Sequence, residues 1–411
     1  MLKYIGDENC TGCMACYAKC PSGAISLKNN EEGFVYPQID TAKCTDCGLC
    51  QKTCPLNKPN EKSEKKVYSF QSSDKQLLRQ SSSGGFFSTI ALTILRNGGY
   101  VYGAAFNSDF NLEHICVTDE KGLEKLRGSK YLQSEIGNIF KDVKEKLATG
   151  KTVLFTGTSC QIAGLKSYLG KGYDNLLTID LVCHGVPTPL IFKAYMKYLE
   201  NKLGDKITDF MFRDKKYSWH VYNVLARCTR AGARSKTYVG RWEEDPFMRG
   251  FLREYFLRKS CHNCKWANPD KPADITMADF WGYGKHKELR DTDEGISMVM
   301  IHTEKGCQLF ESLDKTVFKC IEVPVSEAIN GNPALNKSFP ENPLRKAFWE
   351  DFRKVGFSDE LVDKYLYKEK LPLVQRPIYV LGGGRSVLFK MYNFGFRCIR
   401  KVWRIVKKVV K

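Results

Sequence analysis

Eight cysteines near the start of the chain form two copies of one pattern. Each copy reads C-x2-C-x2-C-x3-C-P, which gives Cys10, Cys13, Cys16 and Cys20 before Pro21, and Cys44, Cys47, Cys50 and Cys54 before Pro55. Thiolates at this spacing hold iron–sulfur clusters, and the last cysteine of each run ligates the cluster of the other run. We therefore expect one 4Fe-4S cluster on Cys10, Cys13, Cys16 and Cys54, and a second on Cys44, Cys47, Cys50 and Cys20. This chemistry is the transfer of single electrons.

Glycines and prolines around these cysteines support the same interpretation. Gly12 and Gly48 lie where tight turns around a cluster require glycine. The prolines after Cys20 and Cys54 turn the chain away from the ligand. Zinc ribbons and disulfides are the rival interpretations, and two complete copies with matching prolines disfavour both.

Four further cysteines suggest another metal site. Cys160 (TGTSCQ) and Cys183 (VCHG) follow predicted strands, and Cys261 and Cys264 form a C-x-x-C pair. Strand ends are where α/β sheets bind cofactors. From spacing alone, two core cysteines and an unrelated pair explain the pattern equally well, and zinc suits four thiolates as well as iron does. Five scattered cysteines are interpreted as packing residues: Cys116, Cys228, Cys307, Cys320 and Cys398.

Three glycine-containing segments can bind an anionic or flat ligand. Ser81–Gly85 (SSSGG) opens a helix, where backbone N–H groups can hold phosphate oxygens, although a serine-capped loop explains it too. Arg127–Tyr131 (RGSKY) places two cations beside a glycine, with a solvated loop as the alternative. Asp279–Gly282 (DFWG) ends a strand with two aromatic residues, which can line a ring pocket or pack in the core.

The elements that must position these residues alternate between strands and helices. Strands are predicted at 24–27, 34–39, 100–106, 152–155, 176–182, 221–226, 274–278 and 297–302, and helices at 88–96, 161–169 and 189–203. Such alternation indicates an α/β fold with a largely parallel or mixed sheet. We predict an α+β ferredoxin-like domain at 1–56, a linker at 57–66, a mixed α/β core at 67–340 with parts 67–150 and 151–340, a helical extension at 341–384 and a basic amphipathic tail at 385–411.

The composition suggests a cytoplasmic protein. Seventeen cysteines indicate a reducing compartment with metal-bound thiolates. We expect no signal peptide and no membrane-spanning helix, because neither a signal-type run nor eighteen consecutive apolar residues occurs. Half of the net charge of +18 comes from nine Lys and Arg in residues 385–411, which contain no acid. A nucleic-acid partner is therefore disfavoured.

The tail has the pattern of a basic amphipathic helix. Its cations fall on one helical face and its apolar residues, including Trp403, mainly on the other. This pattern suits an anionic membrane surface, which would place the protein peripherally at the inner membrane face. Docking of the same helix on protein is the alternative.

Six motifs together resemble the beta-subunit family of coenzyme F420 (8-hydroxy-5-deazaflavin) hydrogenases and dehydrogenases. The resemblance covers about Met1 to Val325 and rests on SSSGGFFSTIALTILRNGGYVYGAAF, RGSKYLQS, VLFTGTSCQIAGLKSYL, IDLVCHGVP, FRDK and CHNC with ADITMADFWG. Relatives often have Pro where Ser159 stands and Gly where Ala278 stands. Similar chains also occur as standalone bacterial proteins associated with surface-polysaccharide synthesis.

The resemblance implies an FAD-containing α/β core with a third 4Fe-4S cluster beside the flavin. Family members carry that cluster on cysteines that match Cys160, Cys183, Cys261 and Cys264. The residues from Ser82 to Gly85 resemble the flavin-phosphate loop, and Lys130 and Tyr131 match a segment near the flavin. The candidate cofactor-binding residues are Ser82, Ser83, Gly84, Gly85, Lys130, Tyr131, Asp279 and Trp281.

The resulting prediction is an iron–sulfur flavoprotein oxidoreductase that relays single electrons between ferredoxin-type clusters and FAD. The expected partners are a redox protein, such as a ferredoxin or a catalytic subunit, and an unidentified small-molecule substrate. No residue is assigned to catalysis. The alternative is a non-catalytic electron-transfer subunit that serves a partner enzyme.

Overall fold

The computed structural model describes residues 8–60, 62–216, 218–229, 235–283, 286 and 293–367, and the backbone of 378–381. The chain divides into two compact units, residues 1–192 with 254–345 and residues 193–253 with 346–411. None of the helices in the described ranges has the length and apolar character needed to cross a membrane. The predicted basic tail, 385–411, lies outside the described residues.

The described strands and helices are numbered along the chain. The strands are β1 (Ile25–Asn29), β2 (Val35–Ile39), β3 (Lys66–Ser72), β4 (Tyr100–Phe106), β5 (Leu112–Val117), β6 (Val153–Thr158), β7 (Leu176–Leu181), β8 (Asp209–Asp214), β9 (Asn223–Cys228), β10 (Lys236–Arg241), β11 (Ile275–Asp279), β12 (Ser297–Ile301), β13 (Phe318–Val323) and β14 (Ile378–Leu381). The helices are α1 (Ala15–Lys19), α2 (Leu49–Thr53), α3 (Lys75–Gln80), α4 (Phe86–Arg96), α5 (Glu120–Leu126), α6 (Ile139–Leu147), α7 (Ser159–Leu169), α8 (Pro189–Leu203), α9 (Pro246–Leu252), α10 (Glu304–Glu311), α11 (Val325–Gly331), α12 (Arg345–Val355) and α13 (Asp359–Leu361).

The cysteine-rich segment folds as two similar halves. Each half has a short helix, α1 or α2, within its cysteine run, and β1 and β2 pair antiparallel from Ile25–Ile39 to Asn29–Val35. Met14, Ala15 and Ala18 of the first half are buried among Phe140 and Leu165 of the neighbouring helices α6 and α7. The first half therefore shares a hydrophobic core with the rest of its unit.

The larger sheet confirms the predicted mixed α/β core. Its eight strands have the order β13-β3-β12-β11-β7-β6-β4-β5. The neighbours β4, β6, β7 and β11 pair parallel, whereas β5, β12, β3 and β13 join antiparallel. Strand β6 (VLFTGT) is buried on both faces, as expected for a central parallel strand. The carboxyl ends of β3, β4, β6, β7 and β11 meet at one edge, hereafter the carboxyl edge.

The second unit contains a four-stranded antiparallel sheet of order β14-β10-β9-β8. The predicted helical extension, 341–384, contains α12 and α13, but it also contains strand β14 at Ile378–Leu381. This strand differs from the prediction because its sequence, IYVL, consists largely of residues with high β-propensity, which the helical assignment overlooked.

The predicted bounds of β4 and α8 coincide with those observed, and the other predicted elements lie within three residues of theirs. Six strands have no counterpart among the predicted ones, namely β3, β5, β8, β10, β13 and β14. All six pair antiparallel with their neighbours in the sheets. The predicted domain boundaries stay predictions.

Candidate iron–sulfur and cofactor sites

The first predicted ligand group, Cys10, Cys13, Cys16 and Cys54, is here called the inner set. Burial, and after it the neighbouring Cys10 and Cys54, raises the pKa of Cys16 to about 12. After burial, Cys10 also raises the pKa of Cys54, and Cys16 and Cys10 raise the pKa of Cys13. The structure therefore brings the last cysteine of the second run to the first three of the first run. Their role as ligands stays a prediction.

The second group, Cys20, Cys44, Cys47 and Cys50, is here called the outer set. These four cysteines line one cavity, together with residues of the same cysteine-rich segment such as Ile25. Cys47 is exposed to solvent. The outer set thus lies at the surface of the molecule.

Left-handed backbone positions flank the second cysteine of each run. Gly12 and Met14 have φ values of 69° and 63° around Cys13, and Asp46 and Gly48 have φ values of 52° and 68° around Cys47. A residue with a side chain adopts this conformation at a cost of roughly 1–2 kcal/mol. The glycines named from the sequence therefore meet a real conformational demand, and Met14 and Asp46 meet the same demand without glycine.

The prolines that end the two runs act as the sequence predicts. Cys20 and Cys54, which precede them, are extended, with ψ values of 114° and 119°. Steric contact with the proline ring disfavours helix at the preceding residue. Helices α1 and α2 therefore end one residue before the last cysteine of each run.

The third group, Cys160, Cys183, Cys261 and Cys264, is here called the core set. These cysteines line a single cavity at the carboxyl edge of the sheet. Cys160 is the second residue of α7, and Cys183 follows β7. Within the described part of the chain, no three Cys, His, Asp or Glu side chains converge on one point as a single metal ion requires.

Burial dominates the chemistry of the core set. It raises the pKa of Cys160 to about 11 and that of Cys261 to about 12, and it raises the pKa of Cys183 well above its usual value. The Arg258 guanidinium lowers the pKa of Cys160 and Cys261. Cys160, Cys183 and Cys261 would therefore ionise more readily beside a group that carries positive charge.

A hydrogen-bonded chain of side chains supports Cys160. The Thr158 hydroxyl lies 3.0 Å from Cys160 Sγ, and the backbone N–H of Thr158 donates to Gln161 Oε1. Gln161 Nε2 donates to Ser134 Oγ, which lies 2.9 Å from Nδ1 of the buried His114. These residues are not among those predicted from the sequence. The T-x-x-Q pattern of a capping box, which Thr158 and Gln161 form at the start of α7, was the available signal.

The inner and core sets approach one another. Thr11, which follows Cys10, lines the cavity of the core set. The neighbouring Cys160 raises the pKa of Cys13, after burial and the cysteines of its own set. Gly164 on α7, four residues after Cys160, packs against Cys13. The same helix therefore contacts both groups of cysteines.

The three segments predicted to bind a cofactor also adjoin one another. The N–H of Ser129 donates to Ser82 Oγ at 2.7 Å, which joins the second segment to the first. The N–H of Gly84 donates to Ser297 Oγ at 3.0 Å, and Ser297 pairs with Asp279 across β11 and β12. All three segments thus lie near the carboxyl edge.

Several of these candidate residues have local structural roles. A Cβ at Gly84 would lie 2.2 Å from the Phe70 carbonyl oxygen, so this glycine is required by packing. Gly85, with φ of 91°, begins α4 without a side-chain cap. Lys130 Nζ donates to the carbonyls of Leu126, Arg127 and Gly128 and so closes the end of α5.

The remaining candidates lie beside these. Tyr131 follows Lys130 and is half-buried. Trp281, just beyond Asp279, exposes 41 % of its surface. Ser83 donates to the carbonyl of Ile296, which precedes β12.

Two family models match separate parts of the chain. Residues 9–58, which contain the inner and outer sets, match the 4Fe-4S dicluster domain. Residues 150–324, which contain the core set, match the family described as the C terminus of the coenzyme F420 hydrogenase/dehydrogenase beta subunit. No match was found among curated proteins.

Among solved structures, the chain is similar to a chain of the F420-reducing NiFe hydrogenase complex from Methanosarcina barkeri, studied by xenon derivatization. The identity is 16 %, the TM-score is 0.43, and the match covers 70 % of this chain and 98 % of the other. The family models confirm the resemblance found in the sequence: residues 9–58 are similar to 4Fe-4S dicluster domains, and residues 150–324 are similar to the C terminus of the coenzyme F420 hydrogenase/dehydrogenase beta subunit.

Proposed function

We propose that this protein is an iron–sulfur flavoprotein oxidoreductase in which the outer, inner and core sets each hold one 4Fe-4S cluster and the segments around Ser82, Lys130 and Asp279 hold FAD. Bound clusters supply one-electron transfer, and a bound flavin exchanges two electrons with an organic substrate. The contribution of the chain is to fix these groups close together and to exclude water from the inner and core sites.

The single observation that carries this proposal is the approach of the inner set to the core set. Thr11 lines the core cavity, and Gly164 brings the helix of Cys160 against Cys13. Two separate metal sites with structural roles would not require a shared wall. A path for electrons between the two sites does require that they lie against each other.

The exposure of the outer set supports an entry point for electrons. Its cavity is bordered by the cysteine-rich segment itself, and Cys47 reaches solvent. We therefore propose that an external redox protein, such as a ferredoxin or a catalytic subunit, docks at the outer set. The order along the chain of sites is then outer, inner, core.

The placement of the candidate flavin residues supports FAD as the group that follows the core set in the proposed electron path. The free start of α4 after Gly85 offers N–H groups to a phosphate, since no side chain caps it. The exposed Trp281 offers an aromatic face beside Asp279. Both lie near the carboxyl edge, to which the core set belongs.

Iron analysis after anaerobic reconstitution tests the number of clusters. We expect about twelve irons per chain, and about eight would remove the core cluster from the proposal. Variants Cys160→Ser and Cys264→Ser should each lose about four irons. They should also abolish reduction of the flavin by a reduced ferredoxin, and unchanged reduction would contradict the relay.

Single substitutions in the cysteine runs test the exchange of ligands. Cys54→Ser and Cys10→Ser should perturb the same electron paramagnetic resonance signal, because both belong to the inner set. Cys20→Ser and Cys44→Ser should perturb the other signal. If Cys54→Ser instead perturbed the signal of Cys44→Ser, the assignment of the two sets would be wrong.

A non-catalytic electron-transfer subunit is the second candidate. The dicluster domain favours it, because such a domain needs no substrate of its own. Flavin content distinguishes the two: FAD in the purified protein supports the enzyme, and its absence supports the subunit. For an FAD-containing protein, acceptors to be screened include deazaflavins and, given the resemblance to chains associated with surface-polysaccharide synthesis, nucleotide sugars.

A further inference from the structure

Arg258 carries a buried positive charge without a carboxylate partner. Its side chain has no exposed surface. Its guanidinium donates to three neutral acceptors, the Cys10 carbonyl at 2.7 Å, Gln133 Oε1 at 2.9 Å and the Val35 carbonyl at 3.1 Å. Among the residues that the structure describes, no Asp or Glu forms an ion pair with it.

Another buried arginine of the same unit differs in this respect. Arg345, which is 3 % exposed, holds Glu32 through both oxygens of its carboxylate. A buried charge without a counter-charge destabilises a protein. The environment of Arg258 therefore calls for an anion that is not an Asp or Glu side chain.

The two ends of Arg258 touch the two groups of cysteines. The backbone carbonyl of Arg258 accepts a hydrogen bond from the N–H of Cys261 at 2.9 Å, so its backbone contacts a cysteine of the core set. Its side chain reaches the carbonyl of Cys10, and a Cβ at Gly12 would lie 2.9 Å from Nη1. The guanidinium also stacks over the ring of Tyr36, at 4.0 Å from the ring centroid, which fixes its plane.

Thiolate-ligated clusters supply the missing anion. Four thiolates bring four negative charges to each cubane, and the oxidised 4Fe-4S core carries fewer positive charges than that. Each electron that arrives adds a further negative charge. A fixed guanidinium close to two such sites stabilises the reduced form of both more than the oxidised form, because its attraction grows with their negative charge.

We propose that Arg258 is the counter-charge shared by the inner and core sets, and that it sets the reduction potentials between which an electron passes from one to the other. This rests on the proposed function only in that both sets hold clusters. Arg258 is a positioning residue and not a catalytic one, because it contacts the ligand segments and acts through them. The outer set, which lies elsewhere in the cysteine-rich segment, is not within its contacts.

The test is a potentiometric titration of the full chain, loaded anaerobically and followed by electron paramagnetic resonance. The variants are Arg258→Gln, which removes the charge, and Arg258→Lys, which keeps it. Arg345→Gln is the matched control, since it also removes a buried arginine, which bonds both Glu32 of the cysteine-rich segment and the Leu257 carbonyl. Signals are assigned with Cys160→Ser and Cys47→Ser.

In Arg258→Gln we expect the inner and core sets to become harder to reduce by at least tenfold, or 59 mV for one electron, with the outer set unchanged. Arg258→Lys should stay within that margin of the original protein, as should Arg345→Gln. Unchanged potentials in a fully loaded Arg258→Gln protein would overturn the proposal. So would an equal shift in all three sets, because that would indicate a general disturbance of the fold.

Iron content separates failure of this inference from failure of the proposed function. If the original protein holds only about eight irons and lacks the core signal, the proposed function fails at the core site and the shared role of Arg258 fails with it. If Arg258→Gln does not load iron, Arg258→Lys decides. If Arg258 acts through its charge, Arg258→Lys should keep both the iron content and the reduction potentials of the original protein. Loss of either would overturn the proposal.

Discussion

Gly164 of α7 lies directly against Cys13 of the inner set. A Cβ at residue 164 would come within 2.8 Å of Cys13 Cβ and 3.1 Å of its Sγ, the first of which is shorter than real Cβ contacts. The helix and the cysteine can approach this closely only because residue 164 has no side chain. A side chain at residue 164 would therefore push α7 and Cys13 apart.

We expect Gly164→Ala to lower the iron content by displacing Cys13, and to destabilise the protein by about 1–3 kcal/mol through overpacking. Iron analysis and thermal unfolding measure the two effects. Gly172→Ala is the matched control, because nothing lies within 4 Å of a Cβ there. Full iron content in the Gly164 variant would show that the contact relaxes without cost to the site.

Thr158 is expected to influence the potential of the core set. Its hydroxyl lies 3.0 Å from Cys160 Sγ, and a hydrogen bond to a ligand sulfur favours the reduced cluster. Thr158→Val should lower the midpoint potential of this site and destabilise α7 by about 1 kcal/mol through loss of the cap. Thr158→Ser should retain both properties. An unshifted potential in the valine variant would show that the hydroxyl does not donate to the sulfur.

His302 is expected to make stability depend on pH. Burial, assisted by Lys65 and Lys271, lowers the pKa of this histidine to about 3, although Asp270 and Asp274 oppose the shift. Its Nε2 lies 2.8 Å from Thr276 Oγ1, which donates to Asp180. Below pH 6.5 the unfolded chain binds a proton that the folded chain does not, so folding loses stability as the pH falls.

From pH 7 to pH 5 this histidine should reduce the free energy of unfolding by about 2 kcal/mol. His302→Gln, which keeps an amide donor near Nε2, should remove that part of the pH dependence. Urea unfolding of the loaded protein at pH 5, 6 and 7 measures the slope. Equal slopes in the two proteins would indicate that His302 titrates as it does in the unfolded chain.

Breaking the buried ion pair of Glu32 and Arg345 should lower the free energy of unfolding more than breaking an exposed pair. Glu32→Ala leaves the Arg345 charge buried without its carboxylate and should cost about 3–5 kcal/mol. Asp359→Ala breaks a pair with Lys202 in which the carboxylate side chain is 64 % exposed, and should cost less than about 1 kcal/mol. Chemical denaturation compares the two, and similar losses would contradict the difference in burial.

Local patterns predicted much of what the structure contains. The cysteine runs, with their prolines, predicted the inner and outer groups, because spacing within a run and the repeat between runs are both visible in the sequence. Strand β4 was predicted with its observed bounds, since an apolar run follows the helix-ending glycines at 98 and 99. These features depend on neighbours in the chain.

Other features depend on residues far apart in the chain. The Arg258 side chain donates to the carbonyl of Cys10, about 250 positions earlier, and its sequence context, RKSCHNC, resembles that of an exposed cation. Gly84 resembles a phosphate-binding glycine, and only the pairing of β3 with β12 reveals its packing role. Strand β13 became recognisable only with its partner β3, because its buried and exposed residues do not alternate regularly.

The exposure of Cys47 determines the order in which air would damage the protein. Dioxygen should reach the outer set first, because Cys47 is exposed, whereas the thiols of the inner and core sets are buried or only partly exposed. If the three sets hold clusters as we propose, brief aeration should release iron from the outer set first and disconnect the protein from its proposed redox partner, while the inner and core sites stay assembled. Such a protein would regain its connection by repair of one surface cluster, without refolding.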